Sequence, residues 1–213
     1  MTRKVLLSTV ALFFALTLDA QTFTSSLVVN IPDAPGPEVY DSLLVSGLPA
    51  SIGSTFGLAG ACFNINHTYD QDLVLRLIAP NGDKILIANR IGGSFDNYNG
   101  TCLTENGANG YINYGNAPFT GTWIPPESLN QFNNGQNPNG WWYFAIHDVA
   151  GGDIGLINYF SLPFAPDPPA DPPPPAYPAI HGPRPRIYAD SARIAWLQVN
   201  ITLPGDCRNT CAS

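Results

Sequence analysis

The run Gly140-Trp141-Trp142-Tyr143-Phe144-Ala145-Ile146-His147-Asp148 decides the fold. Nearly every position is apolar, as expected of a strand covered on both faces near the middle of a core. Val149 to Asp153 follows as a Gly-Gly turn, and Gly155 to Phe164 returns with Leu156, Tyr159, Phe160, Leu162 and Phe164. The pair reads as an apolar hairpin that closes an all-β domain. Because side chains alternate along a strand, Trp141 and Trp142 cannot both point inward.

Further strands are expected upstream. Leu73 to Ile78 and Ile85 to Ala88 flank Pro80-Asn81-Gly82-Asp83, a strong hairpin turn. Val39 to Val45 and Gly60 to Asn66 are also strand-like, and no helical period of adequate length occurs between residues 25 and 165. Gly92 to Gly110, rich in Gly and Asn, reads as a long surface loop that carries Cys102. Charged residues are only 12% of the chain against 20 Gly and 21 Pro, a composition of short strands and many turns.

The ends are different in kind. Arg3 and Lys4 precede an apolar run from Val5 to Leu18 that stops near Ala20, so residues 1–20 are expected to be a signal peptide cleaved before Gln21. The run is shorter than the ~20 apolar residues of a spanning helix, so the expectation is a secreted chain with no membrane span. Folded sequence should begin near Ser25 and the domain should cover residues 25–165. Residues 166–178, with Pro172 to Pro175 at their centre, are expected to be an extended spacer. Residues 179–213, where Asp190 or Ser191 could cap a short helix carrying Ile194 and Leu197, read as the truncated start of a further domain.

The chain has nine basic and sixteen acidic side chains; without Arg3, Lys4 and Asp19 it keeps 9 − 2 = 7 and 16 − 1 = 15, a formal charge of −8. Nucleic acid is excluded as a partner, because phosphate binding needs clustered Lys and Arg. Four cysteines in an exported chain favour disulfides, with Cys62–Cys102 within the domain and Cys207–Cys211 in the tail the preferred pairing.

Three ordered segments carry a resemblance. They are Asn66-His67-Thr68-Tyr69-Asp70-Gln71-Asp72-Leu73 running on to Leu77-Ile78-Ala79-Pro80-Asn81-Gly82; Ala117-Pro118-Phe119-Thr120-Gly121-Thr122-Trp123; and Gly140 through Asp148 to Gly152-Asp153-Ile154-Gly155-Leu156 and Ser161-Leu162. Over most of residues 25–165 the chain resembles the P domain of kexin- and furin-like proprotein convertases. That resemblance implies a jelly-roll β-sandwich of about eight antiparallel strands, packed against a subtilisin-like catalytic domain in cis or in trans and supporting its folding and its calcium and pH response. Gln71 stands where the family usually has Gly, and Phe160 where it usually has Trp. The resemblance brings no catalyst: no serine stands in a Gly-Thr-Ser context.

The candidate site residues divide by chemistry. His67, Tyr69, Asp72, Trp142, Asp148 and Asp153 form the structural motif, and His67, Tyr69 and Asp72 are expected to hold neighbouring loops by hydrogen bonds rather than to act in a triad with Asp148 and a serine. A calcium ion would draw on Asp70, Asp72, Asp96, Asp148 and Asp153, assembled across loops because their spacing is not that of an EF-hand. Trp123, Trp141 and Trp142 are the candidate platform for a polysaccharide, the alternative partner. That alternative makes the chain a sugar-binding module on a glycan-degrading enzyme. The tail segment from Gly182 to Leu197 resembles the entry of heparinase- or alginate-lyase-type helical domains, which favours it. Asn66, Asn99 and Asn200 lie in Asn-x-Thr sequons.

Overall fold

A computed structural model describes residues 19–173. The expected signal peptide up to residue 18, the expected Cys207–Cys211 pair, the rest of the expected spacer and the tail lie outside the described residues.

Among the described residues eleven strands form the domain: β1 (Gln21–Ser25), β2 (Val29–Ile31), β3 (Val39–Val45), β4 (Phe56–Leu58), β5 (Ala61–His67), β6 (Leu73–Ile78), β7 (Lys84–Asn89), β8 (Tyr98–Leu103), β9 (Phe119–Trp123), β10 (Gly140–Asp148) and β11 (Gly155–Pro166). They make two layers. A wide sheet has the order β1-β11-β5-β8-β9, with β2 and β4 pairing to the two ends of β11, and a narrow sheet has the order β3-β10-β6-β7. The all-β sandwich is as expected, with β2 and β4 only three residues long and one parallel pair, β8 with β9.

The closing hairpin does not form. β10 is hydrogen-bonded on both edges, to β3 and β6, and β11 is likewise filled by β1, β2, β4 and β5, so neither has an edge for the other. Residues 149–154 therefore carry the chain from the narrow sheet to the wide one. Ordered pairing also begins earlier than Ser25, because Gln21 already opposes Phe164.

The stretch Gly92 to Gly110 is not one loop. It contains β8, which pairs with β5 and places Cys102 directly opposite Cys62, the two joined as a disulfide. The described start of the spacer is also held: Asp171 accepts hydrogen bonds from the Ser128 hydroxyl at 2.5 Å and the Asn130 amide at 2.8 Å, and Asn130 also donates to the Pro169 carbonyl. These side-chain bonds, with the Asp167 N–H donating to the Thr55 carbonyl at 3.2 Å, hold the proline segment on the domain.

The core between the layers is aromatic. Trp142 meets Phe132 and Phe164 edge to face, Phe144 stacks on Phe160, and Tyr98 stacks on Phe119, with Phe63 between Tyr98 and Phe144. The Trp142 indole N–H donates to the Pro138 carbonyl at 2.8 Å, so the ring is buried without an orphaned donor. Burying each such side chain is worth roughly 1.5–3 kcal/mol. Phe160 is thus a core ring, a tolerable aromatic at its position.

Candidate functional site

At one end of the sandwich β5 and β10 finish with His67 and Asp148, both buried. The imidazole Nε2 lies 3.3 Å from Asp148 Oδ2, linking the wide sheet to the narrow one, while Asp148 Oδ1 accepts the Ala150 N–H at 3.1 Å. With Nε2 carrying the proton, Nδ1 accepts the Tyr69 N–H at 3.2 Å. Both ring nitrogens are occupied and out of solvent, so His67 is a clasp and not a free base. The turn that follows β5 is a short 3₁₀ segment, Asp70–Asp72. Gln71 has no left-handed backbone there, so the position does not require glycine.

The five aspartates do not form one donor set. Asp148 is taken by His67 and Ala150; Asp153 accepts the Thr68 hydroxyl at 2.6 Å; Asp72 faces Arg90 at 3.9 Å. Asp70 lies under the loop before β8, where Oδ1 accepts the Asn97 N–H at 2.9 Å, and Asp96 is exposed above it. Among the described residues no group of three or more His, Cys, Asp or Glu is arranged to hold a metal ion.

Burial shapes the acids at this end. It pushes the Asp70 carboxyl up to about 7, against the Asn97 hydrogen bond, with Asp96 adding to the rise. Burial first, then the neighbouring Asp148 and Asp153, raise Asp72. Asp70 Oδ2 and the buried Tyr98 hydroxyl have no partner among the described residues.

His67, Tyr69, Asp72, Asp148 and Asp153 do gather at this end. Trp142 does not: six residues along β10 from Asp148, it is about 20 Å away in the core. The tryptophan platform is not formed either. Trp142 is buried, Trp123 is half-buried with its N–H on the Thr120 carbonyl, and only Trp141 is exposed.

Two surface features escaped the sequence reading in whole or part. Beside His67 an open cleft of about 640 Å³ is lined by Asn30, Pro32, Asn66, Asp96, Ile154 and Leu156 among others. On the outer face of the narrow sheet, Trp141 (50% exposed) lies opposite Leu44 (50%), while Tyr143 (37%) meets Tyr40 (48%) edge to face at 6.3 Å.

Two facing β-layers that cross over after β10, clasped at one end by a buried His–Asp pair, define a jelly-roll module. Residues 60–164 match the family model of the proprotein convertase P-domain and belong to that family. It is 31% identical over 144 residues to leupeptin-inactivating enzyme 1 of Streptomyces exfoliatus, covering 68% of this chain and 26% of that protein. Among solved structures it is similar to the serine protease of Aeromonas sobria, alone (14% identity, 65% of this chain and 27% of that one, TM-score 0.28) and in complex with its chaperone ORF2 (16%, 66% and 27%, 0.29). The chain thus spans about a quarter of the length of the relatives it matches.

Proposed function

We propose that this P domain is an accessory module of a subtilisin-like serine endopeptidase, exported with it and docked on its catalytic domain through the outer face of the narrow sheet. The observation that carries the reading is the patch of Trp141, Leu44, Tyr143 and Tyr40, four large exposed side chains gathered on two neighbouring strands. A contiguous apolar face with a polar rim is costly to leave in water and marks a contact surface. The rim is supplied by Glu38, which takes Arg76 at 2.6 Å and the Tyr40 hydroxyl at 2.6 Å. Large rings with polar tips are the side chains that dominate such contacts. The family supplies the partner, and the patch supplies the means of holding it.

Co-expression with a subtilisin-like catalytic domain from the same genome tests this. Protease yield and resistance to heating should rise when the chain is present. The gain should disappear with Trp141→Glu and Leu44→Glu, which put charge into the patch without touching the core. Yield and heat resistance that are the same with and without the chain would refute the reading.

A further inference from the structure

We propose that the outer face of the wide sheet is a binding site for a neutral oligosaccharide, seated in the cleft beside His67 and running across an asparagine ladder toward Tyr159. This goes beyond the docking reading and uses the opposite face of the molecule.

The cleft floor is Leu156, which lies in register between Asn30 of β2 and Asn66 of β5. One rung further on, Asn158 donates to both Asn64 at 2.7 Å and Asn66 at 2.6 Å, and Asn64 donates to Asn99 at 3.2 Å. The ladder therefore crosses β11, β5 and β8 and fixes the direction of its amides. Asn66 spends its carbonyl on Asn158, and Asn97 spends its own on the His67 N–H at 3.0 Å. Their NH₂ groups, and both ends of the Asn30 amide, have no side-chain partner among the described residues. Tyr159 stands opposite Asn64, and its hydroxyl lies 3.8 Å from where a side chain on Gly100 would begin.

These groups match a sugar. Each hydroxyl both donates and accepts, as an amide does, and the C–H faces of a pyranose need apolar ground, which Leu156, Ile154 and Pro32 supply. No lysine or arginine lines the cleft and Asp96 stands at its rim, so phosphate, sulfate and uronate ligands are disfavoured. An extended peptide is the weaker fit. Both edges of β11 at Gly155 and Leu156 are already paired, to β2 and β5, which leaves no backbone ladder to extend. Asn30 and the ladder amides sit on strands, and those of Asn64, Asn66, Asn99 and Asn158 are mutually bonded, so little ordering is needed on binding.

The purified chain would be run in native gels containing galactomannan, arabinoxylan or mixed-linkage β-glucan, with polygalacturonate as the acidic control. Retardation on at least one neutral polymer and none on polygalacturonate is expected. Asn30→Ala and Tyr159→Ala should each weaken it at least tenfold with an unchanged melting temperature. Trp141→Ala should leave it unaltered, which separates this site from the docking face. Should Tyr159→Ala not fold, Asn30→Ala alone decides. Unretarded migration on all three neutral polymers, retardation that survives both substitutions, or retardation lost with Trp141→Ala would overturn the proposal.

Discussion

The two outer faces of the sandwich differ in what they ask of a partner. The narrow sheet exposes rings and an aliphatic chain at Trp141, Tyr143, Tyr40 and Leu44, whereas the wide sheet exposes amides at Asn64, Asn66, Asn99 and Asn158. Apolar groups gain by leaving water and do so without strict direction; amides gain little net unless every bond is remade by the partner. The narrow face is thus suited to a broad protein contact and the wide face to a small polar ligand. Between them the inner faces are alike, so function divides by the outward half of each alternating strand.

The sharpest test of that division uses two adjacent residues of one type. Trp142→Ala removes a fully buried ring from between Phe132 and Phe164 and should cost about 3–5 kcal/mol of stability in urea unfolding. Trp141→Ala, one residue earlier on the outward side, should change stability by no more than about 0.5 kcal/mol while weakening the proposed protease contact. Comparable losses at both positions would mean that the narrow sheet's outer face is covered by the chain itself. On the other face, replacing both Cys62 and Cys102 by Ala opens a tie across a sequence separation of 40 residues and should cost about 2–4 kcal/mol. The same urea titration reads it.

How much of this was legible depended on whether the signal was local. The run from Trp141 to Asp148 revealed a central strand because its apolar residues are contiguous. It could not reveal its partners, since pairing depends on which edges other strands have already filled. β8 was hidden inside an apparent loop because its pairing with β5 slips between Phe63 and Ile65, and Gly100 takes φ +62°, which together break the period of two. The same device concealed the asparagine ladder. Asn64-x-Asn66 alternates openly, but Asn158 sits at the slip between Ile157 and Tyr159, where counting by twos fails. The His67 and Asp148 clasp was foreshadowed by the motif that contains both, whereas the spacer's hold on the domain rests on Asp171 meeting Ser128 and Asn130 from more than forty residues away.

A smaller effect than the Trp142 or disulfide losses concerns the acid beneath the amide face. Asp70 holds the Asn97 N–H, and Asn97 in turn lines the cleft and accepts from His67, so the protonation of Asp70 bears on one side of the cleft. Its carboxyl is raised by burial to about 7 from an ordinary 3.8, so between those values the folded chain keeps a proton that the unfolded chain has lost. The stabilising contribution is therefore complete below about pH 4 and is lost as pH rises through about 7. Raised Asp41, Asp72 and Glu105 act with the same sign, so the wild-type slope alone does not isolate Asp70. Asp70→Asn does, because an amide keeps an oxygen for the Asn97 N–H and has no proton to lose. The variant should match the wild type near pH 4 and exceed it by about 1–2 kcal/mol at pH 8, in unfolding curves measured across that range. Curves that run parallel from pH 4 to 8 would show that water reaches Asp70 and that the floor of the amide face is wetter than its burial implies.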